Sequence, residues 1–250
     1  MKLKKYLRFS LAELSIIICF LIFFGCVTPS VEVETVESGK IYIKNEKHIK
    51  DCSVYDYDRL EVSVVSILAG DSLGSGFIIS QDGYILTAAH VVGEEDSVKV
   101  NFSGKREGSG YFIGKSVEVL GKVIRKSMKE DIALVKIKVY NINPMPLNTE
   151  TQKIRSKVWL IANLSPKLPM GIFSTPGTIR SFRNENEIEY IQSSVTLLTG
   201  ADGGPLVDVC GNSIGVCTNV GFLSESEKML GLNYFLPIVD ALRSLNIELK

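Results

Sequence analysis

From residue 59 onward the order of apolar and polar positions reads as a series of strands. "LEVSVVSILAG" (60–70) is rich in β-branched residues and partly alternates apolar with polar. "GSGFIIS", "GYILTAAHVV", "SVKVNF", "VEVLGKVI" and "DIALVKIKVY" follow, punctuated by "SQDG", "GEED" and "SGKREGSG". Many short strands with Gly, Asp and Ser turn signals between them predict a sandwich or barrel rather than βαβ units. "NINPMPLN" (141–148) breaks the pattern and reads as a linker. A second series comprises "KVWLIAN", "GIFSTPGTIRSF", "EIEYIQSSV", "GPLVDV", "NSIGVCTNVG" and "LNYFLPI". In "PIVDALRSLN", Ile238, Ala241, Leu242 and Leu245 recur at helical spacing after Pro237, which predicts a short terminal helix. The outline is two β halves of similar size, without a clear repeat between them, and a C-terminal helix.

The first residues follow another pattern. Lys2, Lys4, Lys5 and Arg8 precede the apolar run "LSIIICFLIFFG" (14–25). A bilayer span needs about 20 such residues, so the run predicts a cleaved export signal over 1–25, with an uncleaved anchor as the alternative. "FFGC" then resembles a lipobox, whose Cys becomes the lipid-bearing first residue of a bacterial lipoprotein. Phe23 stands where Leu is usual and Phe24 where a small residue is usual. The polar tract "VTPSVEVETVESGK" behind Cys26 suits a tether, expected over 26–58. A lipid on Cys26 would hold the protein beside a membrane without a span. The other reading of Cys26 is a buried or incidental thiol.

Composition adds exclusions. The chain has 250 residues, 45% hydrophobic and 22% charged, enough for one large β domain or two small ones. Its 28 basic and 28 acidic side chains cancel. Removing 1–25, with four basic groups and Glu13, leaves 24 basic and 27 acidic, a net charge of −3. Nothing in this balance suggests the concentrated basic face that nucleic acids require. Without a CxxC spacing, Cys52, Cys210 and Cys217 do not suggest zinc. An exported compartment permits a disulfide. Cys210 sits at a hairpin turn and Cys217 well along the returning strand, so those two should not face each other. Three unpaired small hydrophobes is the preferred reading.

Chemistry must come from a few residues. His48 lies in polar "NEKHIK" and reads as a solvated surface residue. His90 ends "GYILTAAH"; a lone His in an apolar stretch is more often structural than catalytic. Asp131 heads the apolar strand "DIALVKI", where a carboxylate could bind an imidazole N–H, fix its tautomer and stabilise its cation. Further on comes "TGADGGPLVD" (199–208), whose glycines let two backbone N–H groups converge on one point. Each feature alone is weak.

Together and in this order they resemble the trypsin-like, chymotrypsin-fold serine proteases, most closely the bacterial HtrA/DegP type. "GSGFIIS-QDGYILTAAHVV" resembles that branch's motif around the catalytic His and "DIALVKI" its Asp motif. "STPGTIRS" resembles the segment before the activation region. "YIQSSVTLLTGADGGPLVDVCGNSIGV" resembles the nucleophile region, and "LNYFLPI" the closing strand. The resemblance covers about 62–244. It implies an all-β fold of two six-stranded antiparallel barrels with a short C-terminal helix. The protease domain would span 59–250, with the first barrel over 59–145 and the second barrel and terminal helix over 149–250. No PDZ module is expected after it.

Residue by residue, the resemblance makes His90 the general base, Asp131 its orienting acid, and the Gly200 and Asp202 N–H groups the oxyanion hole. In the family's frame, Gly-x-Ser-Gly-Gly-Pro, the serine slot here holds Asp202. A carboxylate has no proton to pass to His and is a weak nucleophile towards an amide. Two nearby carboxylates would favour imidazolium and raise the His90 pKa. Thr196 stands where trypsin places an Asp, which argues against a pocket for Arg or Lys. The expectation is an exported, lipid-anchored protein of the bacterial envelope or periplasm. It would be proteolytically inactive and would bind a peptide or unfolded protein segment, without cofactor or metal and without nucleic acid. The alternative is an active HtrA-type endopeptidase in envelope protein quality control; a hydrolase with an Asp nucleophile ranks third. A homo-oligomer is compatible with the resemblance, but no sequence feature establishes one.

Overall fold

The computed structural model describes residues 39–45, 48–50, 60, 62–103, 116–139, 142–164, 172–218 and 233–250. In chain order the elements are β1 (Ile41–Ile43), β2 (Val64–Ala69), β3 (Ser72–Ile78), β4 (Tyr84–Thr87), α1 (Ala89–Val92), β5 (Ser97–Ser103), β6 (Ser116–Ser127), β7 (Ile132–Ile137), β8 (Lys157–Asn163), β9 (Ile172–Glu185), β10 (Ile188–Ser193), β11 (Pro205–Val207), β12 (Ser213–Cys217), β13 (Asn233–Pro237), α2 (Ile238–Ser244) and β14 (Ile247–Leu249). Two sheets close on themselves, in the orders β2-β3-β4-β7-β6-β5 and β10-β13-β12-β11-β8-β9. Every neighbouring pair in both is antiparallel. The expected pair of six-stranded barrels with a terminal helix is therefore present.

Strand patterning explains how the barrels meet. A barrel strand facing solvent needs only alternate apolar residues. β2, β4, β7 and β12 are instead buried along most of both faces. One face fills a barrel: Val65, Ile67, Ile78, Ile85, Val98, Val100, Ala133 and Val135 form the first interior, and Val158, Leu160, Ile179, Ile191, Leu206, Ile214 and Phe235 the second. The other face joins a cluster shared by both barrels. Val64, Phe77, Leu86, Ile132 and Leu134 contribute from one side, and Ile161, Val207, Val216 and Leu236 from the other. The linker is part of that cluster, since Met145 and Leu147 are buried in it.

Three features differ from expectation. First, part of the stretch read as tether is a strand: β1 pairs in parallel with β14, with Ile41 opposite Ile247 and Ile43 opposite Leu249. Ile41 and Ile43 are buried in the shared cluster, which offsets the ordering of so short a strand. Asn45 continues the attachment, donating to the carbonyls of Ile79 and Met145 and accepting from the Leu147 N–H. Second, the His48 side chain is only 18% exposed and its Nε2 lies 3.4 Å from Glu150, so it is not the solvated residue its polar neighbours suggested. Third, Cys210 is disulfide-bonded, which corrects the preference for three unpaired thiols. Cys217 is free and buried, so the two do not pair with each other. Cys26 and Cys52 lie outside the described residues.

Candidate active site

His90 is carried by α1, a single turn placed directly after β4. Ala89, Val91 and Val92 of that turn pack into the first barrel, which leaves His90 on the opposite side. β4 and β7 are neighbours, with Thr87 opposite Ala133, so the residue before β7 stands beside α1. That residue is Asp131. Its carboxylate accepts the His90 backbone N–H through Oδ1 at 2.8 Å and contacts the ring Nδ1 through Oδ2 at 2.7 Å. Asp131 has φ 54°, in the left-handed region. Asp tolerates that region better than most residues, at a cost of about 1 kcal/mol. Two hydrogen bonds to a charged acceptor, each ~1.5–3 kcal/mol, outweigh it.

The 199–204 loop reaches the same place from the second barrel. Gly200 and Gly203 take φ of 86° and 84°, which only glycine adopts freely. The Gly203 N–H donates to the Cys217 carbonyl at 2.7 Å. Between the glycines, Asp202 places Oδ2 3.5 Å from His90 Nε2. Its Oδ1 lies 3.7 Å from the Cys217 thiol, which donates to it. All three residues selected from the sequence thus converge. Among the described residues, neither the Gly200 nor the Asp202 N–H meets an acceptor. Thr196 is exposed between β10 and this loop, and its carbonyl accepts the Thr175 hydroxyl at 2.9 Å. No three His, Cys, Asp or Glu side chains among the described residues are arranged to hold a metal ion.

Sequence reasoning missed the residue that fixes the loop. Ser75 of β3 is fully buried. Its N–H donates to the Asp202 carbonyl at 2.8 Å and its hydroxyl to the Gly200 carbonyl at 2.7 Å. The same hydroxyl accepts the Asn163 N–H at 3.0 Å, and the Ser75 carbonyl accepts the Thr87 hydroxyl at 2.7 Å. In "GSG" the serine looks like turn punctuation. The flanking Gly74 gives a fairer signal, because a Cβ there would stand 2.5 Å from Val91 and 3.0 Å from the Asp202 carbonyl. Ser75→Ala strands a buried carbonyl and a buried N–H. At roughly 1–3 kcal/mol for each unsatisfied group, a loss of about 2–6 kcal/mol is expected in urea unfolding.

Charge is distributed unevenly here. The hydrogen bond to Asp131 is the main reason that the His90 pKa rises from 6.5 to about 10, with the Asp202 contact second and burial opposing both. At 3.5 Å the Asp202 contact is an ion pair more than a hydrogen bond. The raised value belongs to the folded state. Its stabilisation is therefore complete below about 6.5, declines above that, and is gone above about 10. The ring is 36% exposed, so solvent screens much of this energy. NMR titration of His90 should show an imidazolium through neutral pH, and Asp202→Asn should lower its pKa. A ring that titrates near 6.5 would contradict this arrangement. Burial drives the Cys217 thiol well above its ordinary value, with the Asp202 charge adding to it. Cys217 therefore stays protonated and is no nucleophile.

Comparison with known proteins agrees with the geometry. Residues 74–216 match the family described as Trypsin-like peptidase domain. A probable periplasmic serine endoprotease, DegP-like, of Pseudomonas fluorescens is 33% identical over 184 residues, which are 72% of this chain and 35% of that protein. The protein of the same description from Hahella chejuensis is 32% identical over 180 residues, 70% of this chain and 35% of that protein. The chain thus spans about a third of the length of these curated relatives. The crystal structure of Deg5 superposes with a TM-score of 0.61 at 25% identity, covering 75% of this chain and 88% of that one.

Proposed function

This chain belongs to the trypsin-like peptidase domain family, and from that premise we propose that it is an exported, lipid-anchored pseudoprotease that binds peptide or unfolded protein segments without cleaving them. One observation carries the reading. A carboxylate, that of Asp202, stands 3.5 Å from His90 Nε2, where the family's reaction needs a hydroxyl. Serine attacks while its proton moves to a neutral imidazole. Asp202 has no such proton, and the imidazole beside it is held as a cation up to about pH 10. Attack by a carboxylate on an amide would also give an anhydride, less stable than an acyl ester. The negative charge of Asp202 further sits beside the Gly200 and Asp202 N–H groups, which in this reading form the oxyanion hole.

In the same reading His90 and Asp131 keep the general-base and orienting positions of an inherited frame. The DegP-like relatives are described as periplasmic endoproteases, which supports a periplasmic or envelope location and a peptide-like partner. Thr196, neutral and exposed, suits a small or apolar side chain better than Arg or Lys. Residues 1–25 would be the export signal and Cys26 the lipid attachment point. Purified protein incubated with unfolded casein should show no cleavage above that of His90→Ala. Cleavage that disappears in His90→Ala would establish an active endopeptidase instead. Mass spectrometry of the N-terminal peptide tests the lipid on Cys26.

A further inference from the structure

The small sheet of β1 and β14 has two faces of opposite character. Ile41, Ile43 and Ile247 turn inward and join the cluster shared by the barrels. The outward face carries Lys40, Tyr42, Lys44, Glu248 and Lys250. Lys40 pairs with Glu248. Lys250 Nζ lies 4.4 Å from the centre of the Tyr42 ring, which is 41% exposed. Lys44 is exposed without an ion pair among the described residues. Three side-chain ammonium groups, one side-chain carboxylate and a half-exposed tyrosine thus share one face, on which Glu248 pairs with Lys40 and leaves Lys44 and Lys250 without an ion pair among the described side chains.

This surface is also where the chain leaves the barrels. Arg125 of β6 fixes the exit, donating to the carbonyls of Gly39 and Leu245. Between Cys26 and Gly39 the chain is short. At ~3.3–3.6 Å per residue it can reach at most about 45 Å.

We infer that the outer face of β1 and β14 docks on an anionic lipid surface, an inference that rests on the lipid-anchored reading above. Lysine and tyrosine are the side chains that settle at a headgroup layer. Each lysine near an anionic leaflet multiplies residence about fivefold. The affinity is too weak to recruit a free protein strongly. A short anchored tether raises the local concentration to the millimolar range, at which weak contacts persist. Docking through this face would give the His90 cleft a fixed attitude to the membrane.

The lipoprotein should be reconstituted in phosphatidylcholine vesicles containing about one third phosphatidylglycerol and a nitroxide-headgroup lipid. Tryptophan fluorescence of Tyr42→Trp combined with Trp159→Phe, whose single Trp is at position 42, is compared with that of the unaltered protein, whose single Trp is Trp159. The Trp at position 42 should be quenched at least about twofold more strongly, and the excess should vanish at about 0.5 M salt. It should also vanish in the Lys40→Glu, Lys44→Glu, Lys250→Glu variant. Equal quenching at both positions in vesicle-bound protein overturns the inference and leaves the anchor intact. So does an excess that survives the triple substitution or depends on protein density, which would indicate a second copy. Unaltered protein that fails to float with vesicles removes the anchored reading, and this inference with it.

Discussion

Asp202→Ser is expected to convert a protein inert to a serine-directed fluorophosphonate into one that is labelled. The frame around position 202 is already assembled. Asp131 Oδ2 lies 2.7 Å from His90 Nδ1, which fixes the ring, and Nε2 faces residue 202 at 3.5 Å. The Gly200 and Asp202 N–H groups meet no acceptor among the described residues. Replacing the carboxylate supplies the missing proton and removes one of the two charges that keep His90 cationic. Loss of a triad serine costs on the order of 10⁶ in kcat in a related mechanism. Even imperfect restoration should therefore raise labelling and casein cleavage by about 10²-fold or more over the unaltered protein. Labelling of the unaltered protein would sink the pseudoprotease proposal. Labelling of neither would mean that the frame has lost the alignment its distances suggest.

The second large effect concerns stability. Gly203→Ala is expected to lower stability by about 2–5 kcal/mol, from ~1–2 kcal/mol for left-handed backbone and ~1–3 kcal/mol for overpacking. A Cβ there would stand 2.2 Å from the Ser75 carbonyl oxygen, 2.4 Å from Thr87 Oγ1 and 2.8 Å from the Ala88 N. All three belong to the first barrel, and two are backbone atoms that cannot swing aside. At ~2–4 °C per kcal/mol, a melting shift of about 10 °C follows. Gly93→Ala is the control: it too has a positive φ, 55°, but nothing lies within 4 Å. If both variants lose the same amount, the close approach of the barrels at Gly203 is not what matters.

Local signals made most of this fold legible. Strand runs separated by Gly, Asp and Ser marked both barrels, and glycine spacing around Asp202 marked the loop. His90 and Asp131 were legible only in combination, because a histidine after a strand and an aspartate before one are each ordinary. The remaining features depend on contacts distant in sequence. Ile41 and Ile43 sit in a polar tract, and their partners Ile247 and Leu249 lie at the far end of the chain. Ser75 owes its importance to Gly200 and Asn163, which no pattern near residue 75 announces. The disulfide at Cys210 was misjudged because turn position says nothing about a distant partner. His48 was misread because polar neighbours do not reveal Glu150.

The pairing of β1 with β14 also imposes an order of assembly. Lys40 and Glu248, joined across that sheet, are 208 residues apart in the chain. Synthesis runs from the N-terminus, so β1 waits for about 200 further residues before it can pair. Until then the edges of Ile41 and Ile43 stay open to any passing strand. Both barrels can close earlier from contacts nearer in sequence. Pairing of β1 is thus a late, high-contact-order event, and it reports that the chain has emerged on the folding side of the membrane as far as β14.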